Sequence, residues 1–189
     1  MKNYQEDQLF EHIDFQETPL PKGEFERCQF LNCSFAHADL SEIIFVECVF
    51  EECDLSMSKV RNTSFRDTEF DQCKLLGLRF DECNPFLLSV TFRSCVLNFS
   101  SFFKVKLKKT HFTDCKLIDV ELIEADFSQA TFSGCDLAGA VFENTLLEGA
   151  DFRTAHNFTI DPEKNRIKKA KFSLAGLPGL LECYKIIVE

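Results

Sequence analysis

No stretch of this sequence stays apolar for anything near the roughly 18 residues that a membrane-spanning helix requires, so a protein embedded in a bilayer is not expected. The opening, Met-Lys-Asn-Tyr-Gln-Glu-Asp-Gln, lacks the apolar centre of an export signal, which points to a cytoplasmic protein. Glycine is scarce, and its seven residues cluster in no phosphate-cradling pattern, which removes the usual nucleotide-binding loops. Basic residues are outnumbered: 21 Lys and Arg stand against 31 Asp and Glu, for a net charge of -10. Direct contact with nucleic acid rests on neutralising phosphates, so an acidic chain is expected to seek a basic protein instead. Residues 153 to 189 hold seven basic and four acidic groups, which leaves 14 against 27 in residues 1 to 152.

Catalytic constellations are missing as well. The four histidines, His12, His37, His111 and His156, are scattered and have no sequence partner that would complete a triad or a metal motif. Ten cysteines are present, but none forms the close C-x2-C pair that zinc sites favour. Nine of them recur at multiples of five, apart from one interval of 12 between Cys83 and Cys95, which fits small inward side chains, and Cys183 stands apart as a free thiol. Disulfides are not expected in a reducing compartment. No metal, no cofactor and no enzymatic activity are therefore expected.

What the chain has is a rhythm of five. A large apolar residue recurs at Phe10, Phe15, Leu20, Phe25, Phe30, Phe35, Leu40, Phe45, Phe50, Leu55, Val60, Phe65, Phe70, Leu75 and Phe80. A second register runs from Leu87 and Phe92 to Phe152, displaced by a two-residue slip near Asn84-Pro85-Phe86. Five residues fit neither the turn of a helix nor the alternation of a strand, so the chain must turn a corner at every repeat. Phe10, Phe30, Phe50 and Phe70 share a longer period of 20, as do Cys33, Cys53 and Cys73, and this makes four repeats per coil. The 29 counted repeats predict about seven coils of a four-sided β-helix over residues 1–152. Residues 153–189, where the rhythm stops, are expected to form a cap with a short helix after Pro178 and a strand-like Ile186-Ile187-Val188.

The motifs Ala38-Asp39-Leu40-Ser41, Ala125-Asp126-Phe127-Ser128 and Ala150-Asp151-Phe152-Arg153 resemble the pentapeptide-repeat family, whose members fold as a right-handed quadrilateral β-helix. The tail from Asn157 to Leu174 is similar to the ends of its McbG microcin-immunity and albicidin-resistance proteins, relatives of the Qnr quinolone-resistance proteins. That resemblance implies a DNA mimic that binds DNA gyrase or topoisomerase IV and protects it from a toxin or antibiotic. It also implies a homodimer through the tail, with Phe172, Leu174, Leu177, Leu180, Leu181, Tyr184, Ile186 and Ile187 as the contact residues. Qnr proteins carry projecting loops linked to quinolone protection, and here only the slip near Pro85 stands in their place, which favours the loopless immunity-type relatives. The alternative is an acidic scaffold for some other protein.

The period of 20 also predicts which charges are neighbours. Lys104 should meet Glu124, Lys106 Asp126, Lys116 Asp136, Asp39 Lys59, and Asp54 Lys74. Acids meet acids at Glu47 with Asp67 and at Glu51 with Asp71, with Glu52 alongside and Arg27 below Glu47. This acidic cluster is the candidate partner-binding surface.

Overall fold

A chain that turns every five residues cannot satisfy its backbone within one coil, so each coil must hydrogen-bond to the coils on either side. The computed structural model describes residues 3–186 and has this arrangement. Its strands are β1 (Asn3–Glu6), β2 (Leu9–Glu11), β3 (Gly23–Glu26), β4 (Gln29–Leu31), β5 (Ile44–Val46), β6 (Val49–Glu51), β7 (Ser64–Arg66), β8 (Thr68–Asp71), β9 (Val90–Arg93), β10 (His111–Thr113) and β11 (Thr131–Ser133). The first wall is the parallel sheet β1-β3-β5-β7, and the second is the seven-stranded parallel sheet from β2 to β11. Isolated parallel bridges hold the other two, such as Ser34, Asp54, Lys74, Val96 and Lys116 in succession on the third wall and Arg79, Ser101, Glu121 and Val141 on the fourth. About seven coils separate Phe10 from Phe152, as the period of 20 predicts.

In-register pairing places each inward residue on its own counterpart. Nine phenylalanines of the second wall, from Phe10 through Phe30, Phe50, Phe70, Phe92, Phe112, Phe132 and Phe152 to Phe172, form one continuous stack with centroids 4.7 to 5.5 Å apart. Rings of adjacent walls meet edge-on, as Phe45 does Phe50 at 5.2 Å and 75°. Such offset and edge contacts add to the burial of each ring.

The residue two before each central one faces inward too, and it does more than fill space. The Cys53 thiol donates to the carbonyl of Phe30 at 3.2 Å and that of Cys73 to Phe50 at 3.2 Å. In the same position the hydroxyls of Thr63, Ser100 and Thr145 donate to Leu40, Leu75 and Leu122, each at 2.8 Å. Nine cysteines are buried and Cys183 is exposed; all ten are free thiols. Burial pushes the Cys48 thiol up to about 12 and also raises Cys83.

Two departures from the expected layout have physical causes. Across the slip the strand offset changes from 20 to 22, with Phe70 beside Phe92. The two extra residues are expelled from the first wall, because a packed interior has no room for them. Asn84 still donates to Thr63 and Ser89 to Phe65, so the chain between them bulges outward. Leu87, expected as an inward residue, is 62% exposed with φ +57°, and half-buried Leu88 packs against the core in its stead.

The second departure is at Phe152, where the rhythm of large residues stops but the ladder does not. Bridges Leu146 to Arg166 and Asp151 to Lys171 continue it, and Phe172 stacks on Phe152 at 5.4 Å. The small inward positions carry the pattern here: Ala155, Ile160 and Asn165 are buried, while the central positions hold Asn157, Pro162 and Ile167. The expected boundary at residue 152 thus falls inside the last coil.

A cap follows, made of a 3-10 turn at Leu174–Gly176, α1 (Pro178–Leu181) and a second 3-10 turn at Glu182–Tyr184. The short helix lies where Pro178 placed it; Ile186 is in no regular element, and Ile187 and Val188 lie outside the described residues. Gly179 lets the cap close on the last coil, since a Cβ there would stand 2.2 Å from the Phe158 carbonyl oxygen, and its own carbonyl accepts from Ile160 N at 2.9 Å.

Phe50→Ala, at a fully buried ring stacked on both sides, is expected to cost about 3–5 kcal/mol, measured by urea unfolding. A thiol reagent such as dithionitrobenzoate should label Cys183 alone in the native protein and all ten cysteines once it is unfolded.

Candidate functional site: an acidic wall

The second wall concentrates charge of one sign on two adjacent coils. Glu51 and Asp71 are Cα partners in β6 and β8, and Val49 pairs with Glu69 in the same ladder. Glu47 and Asp67 occupy the preceding corner, at φ +52° and +47°, and Glu52 the following one at φ +52°. These six carboxylates therefore span the wall from corner to corner, all exposed except half-buried Asp71. Glu69 escapes a reading based on the corner columns because it lies on the flat of the sheet between Val49 and Thr91. Strands about 4.8 Å apart leave such charges repelling by roughly 0.8 kcal/mol per pair even in water.

Cations reach this surface at one edge only among the described residues. Arg93 lies 3.8 Å from Asp71, brought there by the offset of 22, which a rule of 20 does not foresee. Arg27, expected below Glu47, turns to the other side and forks across Glu6, Asp7 and Glu26. Arg66 lies over the Phe86 ring at 5.8 Å rather than beside Glu47.

Register alone does not choose ion pairs. Lys104 meets Glu124 at 3.4 Å as expected. Asp126 lies beside Lys106 in the backbone, yet it is Lys108 Nζ that reaches its carboxylate, at 3.3 Å. Lys116 with Asp136, Asp39 with Lys59, and Asp54 with Lys74 are backbone neighbours whose side chains form no ion pair within 4.0 Å. The flexible side chains take whichever partner lies within reach, since exposed pairs are weak. Asp136 instead faces His156 at 4.0 Å.

Asp126 is the buried exception. Burial opposes its charge, but hydrogen bonds from Ser128 Oγ at 2.6 Å and Ser128 N at 3.1 Å, with Lys108 alongside, hold the carboxyl below the usual range.

The expected tail contacts divide between core and surface. Leu174 is 87% exposed, Ile186 55%, Tyr184 48% and Leu177 42%. Phe172 and Leu180 instead pack against the core, and Leu181 is half-buried. Tyr184 donates to Glu163 at 3.0 Å and Thr159 Oγ1 to Glu182 at 2.6 Å, which ties the cap to the last coil. Between cap and coil lies an open cleft of about 1000 Å³, lined by His156, Asn157, Phe158 and Leu181 among others. A smaller hollow of about 440 Å³ lies beside the bulge, between Val46, Asp67 and Leu88. No group of three or more His, Cys, Asp or Glu among the described residues is arranged to hold a metal ion, and no helix there is long and apolar enough to cross a membrane.

Asp126→Asn is expected to lower stability by about 1–3 kcal/mol at neutral pH. Because the folded carboxyl titrates below its unfolded value of about 3.9, that stabilisation is present above this range and is lost as pH falls through the folded value. Thermal melts of the two proteins should thus converge once the pH falls below the titration of the folded carboxyl.

The same geometry accounts for what the chain is similar to. Residues 23–102 and 87–156 match the family model of the pentapeptide repeat region. No curated protein matches this chain in sequence. Among solved structures, two trypsin-treated variants of QnrB1, described as a plasmid-mediated fluoroquinolone resistance protein, superimpose with TM-scores of 0.66 and 0.65 at 21% and 20% identity. They cover 99% and 100% of this chain and 100% of their own. Full-length QnrB1 gives 0.50 at 23% identity, over 97% of this chain and 100% of that one. At such identities the likeness is one of fold. The family match takes in most of the coils, including those on both sides of the bulge, and with the 20-residue ladder beneath it this chain belongs to the pentapeptide-repeat family.

Proposed function

We propose that this protein binds a type II topoisomerase, DNA gyrase or topoisomerase IV, in the cytoplasm and protects it from a toxin or antibiotic by presenting a surface that imitates DNA. The observation that carries this reading is the set of six carboxylates, Glu47, Glu51, Glu52, Asp67, Glu69 and Asp71, held on adjacent coils of one rigid wall. Coils about 4.8 Å apart repeat charge along the rod at a pitch comparable to the roughly 3.4 Å per phosphate of one DNA strand. A basic DNA-binding groove attracts such a field at long range and relieves its internal repulsion. The shared fold with QnrB1, a fluoroquinolone resistance protein, supports the same direction.

The cap supplies the second half of the proposal. Leu174, Leu177, Tyr184 and Ile186 leave the end of the rod apolar and exposed, and a second copy meeting it end to end covers that surface and doubles the acidic rod. Phe172 and Leu180 act from within, by holding the cap in place.

Purified protein titrated into a gyrase supercoiling assay is expected to inhibit at high concentration or to rescue the enzyme from a peptide toxin or quinolone. Glu51→Lys with Asp67→Lys and Asp71→Lys should weaken that effect by about tenfold or more; an unchanged titration moves the contact elsewhere. No effect of the wild-type protein on gyrase or topoisomerase IV overturns the reading and leaves an acidic scaffold for another protein. Leu174→Asp with Leu177→Asp should give the mass of a monomer in light scattering with the melting temperature retained, and a wild-type protein already of monomer mass sinks the dimer.

A further inference from the structure

Among the described residues β1 and β2 are the outermost strands of their sheets, paired on one side only. The ladder tells which backbone groups such a coil turns outward. Further along the rod Gln29 N donates to Gln8 O, Ser34 N to Ile13 O and Lys59 N to Ala38 O, each towards the coil before it. Leu9, Asp14 and Pro19 hold the same three columns in the first coil, so of these Leu9 and Asp14 turn an N–H outward. Glu11 O likewise matches Leu31 O, which accepts from His12 N of the coil before it.

An exposed strand edge is a template for a further strand, and proteins blunt it with proline, lysine or a covering element. On three sides of this coil something local does so. Gln8 Nε2 donates to Glu6 O at 2.8 Å on the first wall. On the third, Asp14 O accepts from Thr18 N at 3.0 Å and its carboxylate from Gln16 N at 2.9 Å, which folds the chain into a turn. Pro19 on the fourth has no N–H to leave unpaired. The second wall has no such device: β2 reads Leu-Phe-Glu, and neither Leu9 N nor Glu11 O has a protein partner among the described residues.

The floor beside this edge is apolar and its rim is acidic. Phe10 opens the stack of rings, 4.8 Å from Phe30, and is half-buried where Phe30 is fully covered; Leu9 beside it is 56% exposed. Glu11, Asp14 and Glu17 are exposed, and none closes an ion pair within 4.0 Å among the described residues. The residues stacked on Glu11 and Asp14 in the next coil, Leu31 and Ser34, carry no charge. Of the nearby cations, Lys22 is drawn to Glu42, and Arg27 to Glu6, Asp7 and Glu26. His12 and His37 occupy neighbouring corners.

We propose that the outer edge of β2 receives an extended, cationic segment of another protein as a further strand of the second sheet. Its backbone pairs with Leu9 N and Glu11 O, and main-chain bonds of this kind hold a strand whatever its sequence. Alternation along the strand sets one large apolar side chain over Phe10, which prolongs the stack of rings, and turns its neighbours outward. There a Lys or Arg meets Glu11, and a second reaches Asp14 or Glu17. The first coil of a second copy does not fit, because it sets these three carboxylates against their own counterparts. The edge lies two coils before Glu51 on the same wall, and the inference does not rest on the topoisomerase reading.

The test selects from a phage-displayed library of random peptides on the full-length protein and measures the enriched peptides, made synthetically, on two variants. Leu9→Pro removes the outward N–H, as Pro19 does on the fourth wall, and Glu11→Lys/Asp14→Lys/Glu17→Lys reverses the rim. The peptides are expected to carry a large apolar residue beside Lys or Arg and to lose about tenfold in affinity on each variant. Bound peptide should also slow hydrogen exchange at the Leu9 amide of the wild type. An empty selection, peptides indifferent to either variant, or an unchanged Leu9 exchange rate overturns the proposal. Peptides that lose as much on Glu51→Lys/Asp71→Lys bind the acidic wall instead, which overturns it as well. If Leu9→Pro melts several degrees below wild type, the rim variant and the amide decide the matter alone. If it keeps its melting temperature but sediments with a smaller mass than wild type, a second copy covers the edge and the proposal fails.

Discussion

Most of each coil's backbone is satisfied through the coils next to it, and the pairing is parallel and in register. A residue therefore meets its own counterpart one coil away, whatever that residue is. For phenylalanine the consequence is favourable, because equivalent rings stack in a dry interior along the whole rod. For the small inward position it selects residues that fit and can also donate to a carbonyl of the preceding coil, which is why cysteine, serine and threonine interchange there.

On the outside the same rule works against stability. Like charges in one column repel, and long side chains relieve this by reaching sideways, as Lys108 does to Asp126 and Arg27 to Glu6 and Asp7. Where no cation is within reach, as across Glu47, Glu51, Glu52, Asp67 and Glu69, a fixed acidic wall remains. The backbone beneath these charges is held by a ladder of strands and has little further freedom to lose.

Departures from the repeat are pushed to places where the ladder tolerates them. Two extra residues near Pro85 leave the interior packing of Phe70 on Phe92 intact because they are expelled outward, and they take Leu87 with them. At the end of the rod the coil continues on small inward residues after the large ones have ceased, until the cap closes over Phe158 through the glycine at residue 179.

The period of five, and the period of 20 within it, determined the walls, the stacking of Phe on Phe and the adjacency of Glu51 with Asp71, because a register that repeats on itself makes long-range contacts local in the sequence. The same arithmetic could place Glu47 and Asp67 in one column, yet Glu69, on the flat of the sheet, stood outside it. Which lysine answers Asp126, where Arg27 turns and that Arg93 borders the acidic wall were decided only in three dimensions. Those choices depend on side-chain reach across corners and on an offset of 22 after the bulge. The end of the coil was likewise decided by packing: Ala155, Ile160 and Asn165 fill an interior that a search for large apolar residues does not detect.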